Sequence, residues 1–434
     1  MSTPYSIIER SGKDLKQFEF SDRERSALRR LVKTPEMKGN GWDDYVLRIV
    51  GGRLQAGKYI GCVELCRGSR IEILPKLADK PEDIDKAKSA AMRMIRSVYQ
   101  LDSKTAQPAD LEKSGLDIYE LLIQMYIKEL TRVMKKGLRS GYVREEDNLT
   151  CYKGKLIFSE HIRRNSAHRE RFYVSYDVFS PNRPENRLLK STALLLLDVS
   201  ASSVNRTHLR QLLAMMEDIE PSRNIEKDFA SVVDDRTTSD YRSLLNWSRF
   251  FLHCHSFDAF SGRETARSLL IPVEMLFEKY VGRYLRKTFS KNGTVVKEQD
   301  SRFYLAPASK NNNHPYFNIR PDFVIESGSK TLILDTKWKL LNDKRFPNFG
   351  IVPKDMYQML AYARTYKASD VCLIYPKPLG QSIKSIPKCF TLPDDIRVHI
   401  AFVDFQKTAE EDIFTMTAET INNIIYHEEE TNEP

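Results

Sequence analysis

The 434-residue sequence predicts a multidomain α+β chain, with a small N-terminal β domain over residues 1–86, a mainly helical middle over 87–263 and a C-terminal α/β domain over 264–434. Three changes of texture predict it. Short β-branched and aliphatic runs broken by glycines mark the first region, apolar residues at helical spacing mark the second, and helices alternating with strands mark the third. With 41% hydrophobic and 29% charged residues, the chain has enough apolar surface to bury several cores, which excludes a disordered protein.

In chain order, "DYVLRIVGGRLQAGKYIGCVELCRGSRIEILPKL" (44–77) reads as antiparallel strands, and the charged "ADKPEDIDKAKS" closes that region. "LDIYELLIQMYIKELTRVMKKGLR" is a helix with basic residues in its last turn and Gly137 as its stop. Within the middle region "YKGKLIFSEHI" and "RFYVSYDVF" read as strands, "NRLLKSTALLLLDV" and "HLRQLLAMMEDI" as helices. From residue 264 the order is a helix "ETARSLLIPVEMLFEKYVGRYLRKTF", strands "FNIRPDFVIE" and "KTLILDTKW", a helix "PKDMYQMLAYARTYK", then strands "DVCLIYP" and "RVHIAFVDF". The tail "HEEETNEP" reads as a frayed acidic end.

The net charge of +9 favours a polyanionic partner, although 59 acidic residues are mixed with the 68 basic ones. No apolar run is long enough to span a membrane and the N-terminus lacks a signal peptide's features, so the expectation is a cytoplasmic protein with no membrane partner. Six scattered cysteines fit a reducing compartment. Cys62-x3-Cys66 and "HCH" (253–255) have no second pair at zinc-site spacing and read as structural thiols and surface histidines. "GRLQAGKY" (52–59) matches G-x4-G-K, but Tyr59 stands where a nucleotide loop needs Ser or Thr, and the segment runs into a strand. "KKGLRSGYVREEDNLTCYKGK" and "IRRNSAHRERFYV" could track a DNA backbone or form a solvated or partner-facing surface.

The segment "RPDFVIESGSKTLILDTKWK" (320–339) carries the chemistry. If Gly328-Ser329 is the two-residue turn of a hairpin, Ser327 faces Lys330, Phe323 faces Leu334 and Asp322 faces Asp335. Alternation then brings Lys337 to the same face, at the end of strands that are apolar on both sides. Two adjacent carboxylates repel each other, and a divalent cation resolves the conflict. Oxygen donors of this kind suit Mg²⁺, which keeps positions for water and a substrate phosphate. Lys337 beside it can orient a water and offset charge on a phosphate, so the group fits phosphodiester hydrolysis. The plainer reading is a solvated strand end or a structural Asp–Lys ion pair.

Pro321-Asp322 followed by Asp335-Thr336-Lys337 resembles the PD-(D/E)xK signature of restriction-endonuclease-like domains. More of the chain resembles the McrC family, nuclease subunits of McrBC-type modification-dependent restriction systems. "RIEILPKL", "KKGLRSGYV", "YKGKL", "NRLLK", "EMLFEKYVGRYL", the hairpin, "DMYQMLAYA" and "LIYPK" occur in that family's order. The resemblance implies Asp322 and Asp335 as metal-binding acids, Lys337 as the catalytic lysine and Gln358 as the glutamine behind the site. Glu278 is the candidate third acid, with Glu274 as the alternative. The plainer reading of Gln358 is a side chain that caps or satisfies backbone groups, and that of Glu278 an exposed helix residue paired with a neighbouring base. It also implies DNA as substrate and, as partner, an McrB-like AAA+ GTPase ring whose nucleotide hydrolysis the N-terminal region stimulates. The competing functions are a non-catalytic activator of such a ring and a self-sufficient restriction endonuclease.

Overall fold

The computed structural model describes residues 5–33, 45–66, 68–77, 84–101, 115–232, 239–254, 268–291, 293–306, 308, 314–344, 348–380 and 382–426. The chain forms two compact units: Cys66–Arg70 with Tyr99–Leu269, and Tyr5–Leu65 with Ile71–Val98 and Leu270–Pro434. The N-terminal β region therefore does not stand as a unit of its own. Tyr5–Ile8 pairs in parallel with Ser69–Leu74, and Leu269–Pro272 completes the four-stranded sheet beside Tyr59–Cys66. A late strand supplies an edge to an early sheet, so the segments group by pairing and not by sequence order.

In the first unit the Ile118–Lys135 helix starts where the Asp117 side chain accepts the Glu120 amide, and Gly137 follows its end at φ +90°. One local expectation fails here, and one strand arises where no strand was expected or excluded. "YKGKLIFSEHI" yields only the two-residue strand Lys155–Leu156 and then a helix, Phe158–Asn165, in which Glu160 pairs with Arg163 and Arg164 one turn on. Gly141–Leu149 is a strand although "GYVREEDNL" lacks apolar alternation; its nine-residue register with Phe172–Ser180 holds it.

The second unit contains a six-stranded mixed sheet, ordered Val295–Glu298, Phe323–Ser327, Lys330–Thr336, Asp370–Pro376, Arg397–Val403 and Cys389–Thr391. Its helix expected from residue 264 begins only at Val273, because Leu269–Pro272 is consumed as a strand; residues 264–267 lie outside the described residues. Lys330–Thr336 and Asp370–Pro376 are parallel, and the Pro353–Tyr366 helix makes the crossover between them. Val324, Ile333, Val371 and Val398 share one buried cluster with Met359 and Tyr362 of that helix. Alternation places Asp335 and Lys337 on the Ile333 face, toward the same helix.

The G-x4-G-K match is a hairpin: Gly51 and Gly52, at φ +56° and +76°, turn Leu47–Val50 into Arg53–Ala56. No helix follows to hold a phosphate. Cys151, Cys372 and Cys389 are free thiols, Cys62 is buried and Cys66 partly buried, and of "HCH" only His253 has a described side chain. The tail "HEEETNEP" lies outside the described residues. Among the described residues no helix is long and apolar enough to cross a membrane.

Candidate active site

The site lies at the end of the central hairpin. Phe323–Ser327 and Lys330–Thr336 pair in the register that the sequence predicts, Ser327 opposite Lys330 and Phe323 opposite Leu334, around Gly328 at φ +56°. Phe323, Val324, Ile325, Leu332, Ile333 and Leu334 are all buried, so the residues that follow each strand are held at a fixed spacing. Asp322 immediately precedes the first strand. Its Oδ2 accepts the Thr336 amide at 2.7 Å and the Thr336 hydroxyl at 2.6 Å, which ties it to the residue between Asp335 and Lys337.

Asp335 is only 2% exposed, and its Oδ2 stands 2.5 Å from Lys337 Nζ. Burial, and then the Asp322 charge, push its carboxyl up to about 7 despite that ion pair. The lysine is raised above its ordinary range: burial opposes its charge, but the pull of Asp335 outweighs it, so Nζ stays protonated at neutral pH. Gln358 sits on the crossover helix. Its Oε1 accepts from Lys337 Nζ at 2.9 Å, and its Nε2 donates to Tyr362 Oη at 2.7 Å and reaches Asp335 Oδ1 at 3.4 Å. The Tyr362 hydroxyl donates to the Arg320 carbonyl at 3.2 Å, so the amide's orientation is set from both ends.

The two candidate helix acids separate. Glu274 is half exposed and pairs with Arg10 at 2.5 Å. Glu278, one turn later in the Val273–Phe289 helix, shares a donor with Asp322: Gln299 Nε2 lies 2.5 Å from Glu278 Oε1 and 3.2 Å from Asp322 Oδ1. Burial first, and Asp322 second, raise the Glu278 carboxyl. Gln299 has the left-handed φ of +49° and also donates its backbone N–H to the Asp322 carbonyl at 2.9 Å. Sequence reasoning missed it. Its only signal is position, one residue beyond the Val295–Glu298 strand that flanks the hairpin.

A divalent cation fits the donor set through Asp322 and Asp335, two carboxylates close enough that the charge of Asp322 raises the proton affinity of Asp335 despite the Lys337 ion pair. Among the described residues no three His, Cys, Asp or Glu side chains are gathered as a metal cage, so most positions around the cation fall to water and substrate.

The chain is thus a multidomain α+β protein with an acid–acid–lysine group at the end of a mixed sheet. It belongs to the McrBC family: the family model described as "McrBC 5-methylcytosine restriction system component" matches residues 54–376, well over half of the sequence. The type IV methyl-directed restriction enzyme EcoKMcrBC of Escherichia coli K12 is 22% identical over 310 residues, covering 65% of this chain and 85% of that one. A chain in the refined half-complex from a tetradecameric assembly of Thermococcus gammatolerans McrB AAA+ hexamers with bound McrC covers 98% of this chain and 100% of its own, at 19% identity and a TM-score of 0.70. A chain of the cryo-EM structure of the Thermococcus gammatolerans McrBC complex covers 68% of this chain and 90% of its own, at 20% identity and a TM-score of 0.50. At these identities the two structures establish likeness of fold.

Proposed function

We propose that the chain is the Mg²⁺-dependent endonuclease subunit of an McrBC-type restriction system, cutting modified DNA through a PD-(D/E)xK site. In this reading Asp322 and Asp335 hold the cation, Glu278 is the third acid, and Lys337 and Gln358 complete the catalytic group. The observation that carries it is the convergence of two carboxylates and a lysine at the end of one hairpin, with a buried Asp335 driven up to about 7. A structural ion pair would settle into its charged form; this one leaves an acid that a cation would relieve.

Mg²⁺, when bound, supplies positive charge against the two carboxylates and the phosphate oxygens. Lys337, held protonated, donates from Nζ to the phosphate as negative charge builds on its oxygens. Gln358 positions that Nζ, and Tyr362 fixes Gln358. The partner in this reading is an McrB-like AAA+ GTPase ring, which the N-terminal region engages and stimulates. The reading is supported by the family membership and by the rejection of the G-x4-G-K segment as a nucleotide site, which leaves the motor to another chain.

The test is cleavage of methylated and unmethylated duplexes by the chain with and without the ring, nucleotide and Mg²⁺. Cutting that needs all of them is expected. Modification-selective cutting by the chain alone would favour a self-sufficient endonuclease, and full activation of the ring with no cutting would favour a non-catalytic activator.

A further inference from the structure

Between Gln299 and Asp322 the chain leaves the six-stranded sheet and forms a separate hairpin, in which Tyr304–Ala306 pairs with Tyr316–Asn318. Its base is firmly built. The Phe303 ring meets Tyr366 edge-on with centroids 4.6 Å apart, Ile319 is buried and donates its N–H to the Phe303 carbonyl at 3.0 Å, and Asn318 Nδ2 donates to the carbonyls of Ser301 at 2.8 Å and Phe303 at 3.1 Å. Farther from that base Leu305, Tyr316 and Phe317 are 54%, 51% and 74% exposed.

Phe317 is unusual twice over. It is the most exposed of the three, and it holds a left-handed φ of +58°, a conformation that costs a bulky side chain free energy and persists only where the surroundings impose it. Stability does not account for a phenyl ring that is both strained and bare. The charge that faces outward points to its occupant: Arg302 is already paired with Asp300 at 2.5 Å and Glu326 at 2.7 Å, but Arg320, three residues beyond Phe317 on the way to Asp322, is exposed.

Chain length bounds where that occupant lies. Phe317 and Asp322 are five positions apart, a reach of at most about 18 Å at roughly 3.6 Å per residue. At about 3.4 Å per nucleotide along a strand, that is about five nucleotides. A duplex with one phosphate at Asp322, Asp335 and Lys337 therefore carries base pairs within reach of the hairpin.

We propose that this hairpin is a DNA contact that presents Phe317 to a base or base step flanking the phosphate at the acid–lysine site. The inference rests on the nuclease reading and adds a second contact to it. An exposed aromatic ring three residues from an exposed arginine is suited to stacking on a base or wedging into a step, and such contacts tolerate any sequence. Arg320, exposed on the return path, would supply a phosphate contact.

The test uses the full chain carrying Asp335→Asn, so that bound duplex survives, and reads affinity by fluorescence anisotropy over a range of salt concentrations. Phe317→Ala is expected to lower affinity about 5- to 150-fold with the salt slope unchanged, since no phosphate contact is lost. Phe317→Trp is expected to retain it. Phe317→Gly is expected to lose it while melting at or above the parent's temperature, because glycine accepts the left-handed conformation without strain.

Affinity within twofold of the parent for the Ala and Gly variants would overturn the proposal. So would a loss confined to binding of the AAA+ ring, which would make the surface protein-facing, or no duplex binding by the parent at any salt. Failure of the nuclease reading is registered separately, as Mg²⁺-dependent cutting that survives Asp335→Asn in the otherwise native chain.

Discussion

Two buried ion clusters, one in each unit, use the same side-chain types with different donor supplies. Around Arg70 each carboxylate oxygen is met. Glu120 Oε1 accepts from Arg70 at 2.9 Å and the Ala201 amide at 2.6 Å, its Oε2 accepts from Ser200 and Asn205 at 2.8 Å each, and Asp117 accepts from Arg70 at 3.3 Å and the Glu120 amide at 2.8 Å. At Lys337 the supply is thinner: Asp335 is met by the Lys337 ammonium and a Gln358 amide at 3.4 Å, Asp322 takes the Thr336 donors and a Gln299 amide that it shares with Glu278, and Asp335 rises to about 7. A cluster closed by its own donors is architecture. One left short of positive charge is, on the proposed reading, where a cation would bind, and that difference separates two groups that look alike as lists of residues.

The largest expected effects split along this line. Lys337→Ala should cut Mg²⁺-dependent cleavage by about two to four orders of magnitude, and Asp335→Asn should abolish it, with folding and ring assembly intact. Arg70→Ala should do the reverse: it strands Asp117 and Glu120 without their cation and should cost about 3–5 kcal/mol of stability, measured by denaturant unfolding. Should Arg70→Ala fold as well as the parent, or Lys337→Ala unfold the chain, the contrast between the two clusters fails.

A smaller effect is expected at Gln299. Its amide is the donor shared by Glu278 and Asp322, so Gln299→Ala should weaken cation affinity about 10- to 100-fold, read by calorimetry with Mn²⁺. In a Glu278→Ala background the same change should have little further effect, because the link it maintains is already broken. Equal losses in both backgrounds would mean that Gln299 acts on Asp322 alone.

What the sequence disclosed follows from how local its causes are. The hairpin register was legible because a Gly-Ser turn fixes the count and apolar strands leave one alignment, which carried Asp322, Asp335 and Lys337 to one end. Gln358 was legible only through resemblance; the helix that carries it is evident, but its hydrogen bonds to Lys337 and Tyr362 depend on a crossover between strands 34 residues apart. Gln299 was not legible, since a lone glutamine after a short strand carries no pattern. The grouping of residues 5–65 with the C-terminal segments was hidden for the same reason: Leu269–Pro272 looks like the front of a helix until its pairing partner is known. One consequence is practical, as a fragment ending near residue 260 would divide that unit.

The smallest effect, and the most specific to the Lys337 cluster, is a change in how stability follows pH. The folded-state carboxyl of Asp335 lies at about 7, above the roughly 3.9 of an unfolded aspartate. Because it is raised, its contribution to stability is present below about pH 4 and is lost as the pH climbs through about 7. Lys337, also raised, contributes across this whole window and titrates above it, so it adds no slope here. Metal-free Asp335→Asn lacks the titration. It should therefore gain on the parent between pH 5 and pH 8, by a few degrees in Tm. Mg²⁺ should narrow that gap at pH 8 by stabilising only the parent, and should bind less tightly as the pH falls below about 7, where a proton competes for Asp335. Melting curves at pH 5 and pH 8, with and without Mg²⁺, read all of this. Parallel pH profiles for parent and variant would show that Asp335 is already charged without a cation, and that the cluster is closed in the way the Arg70 cluster is.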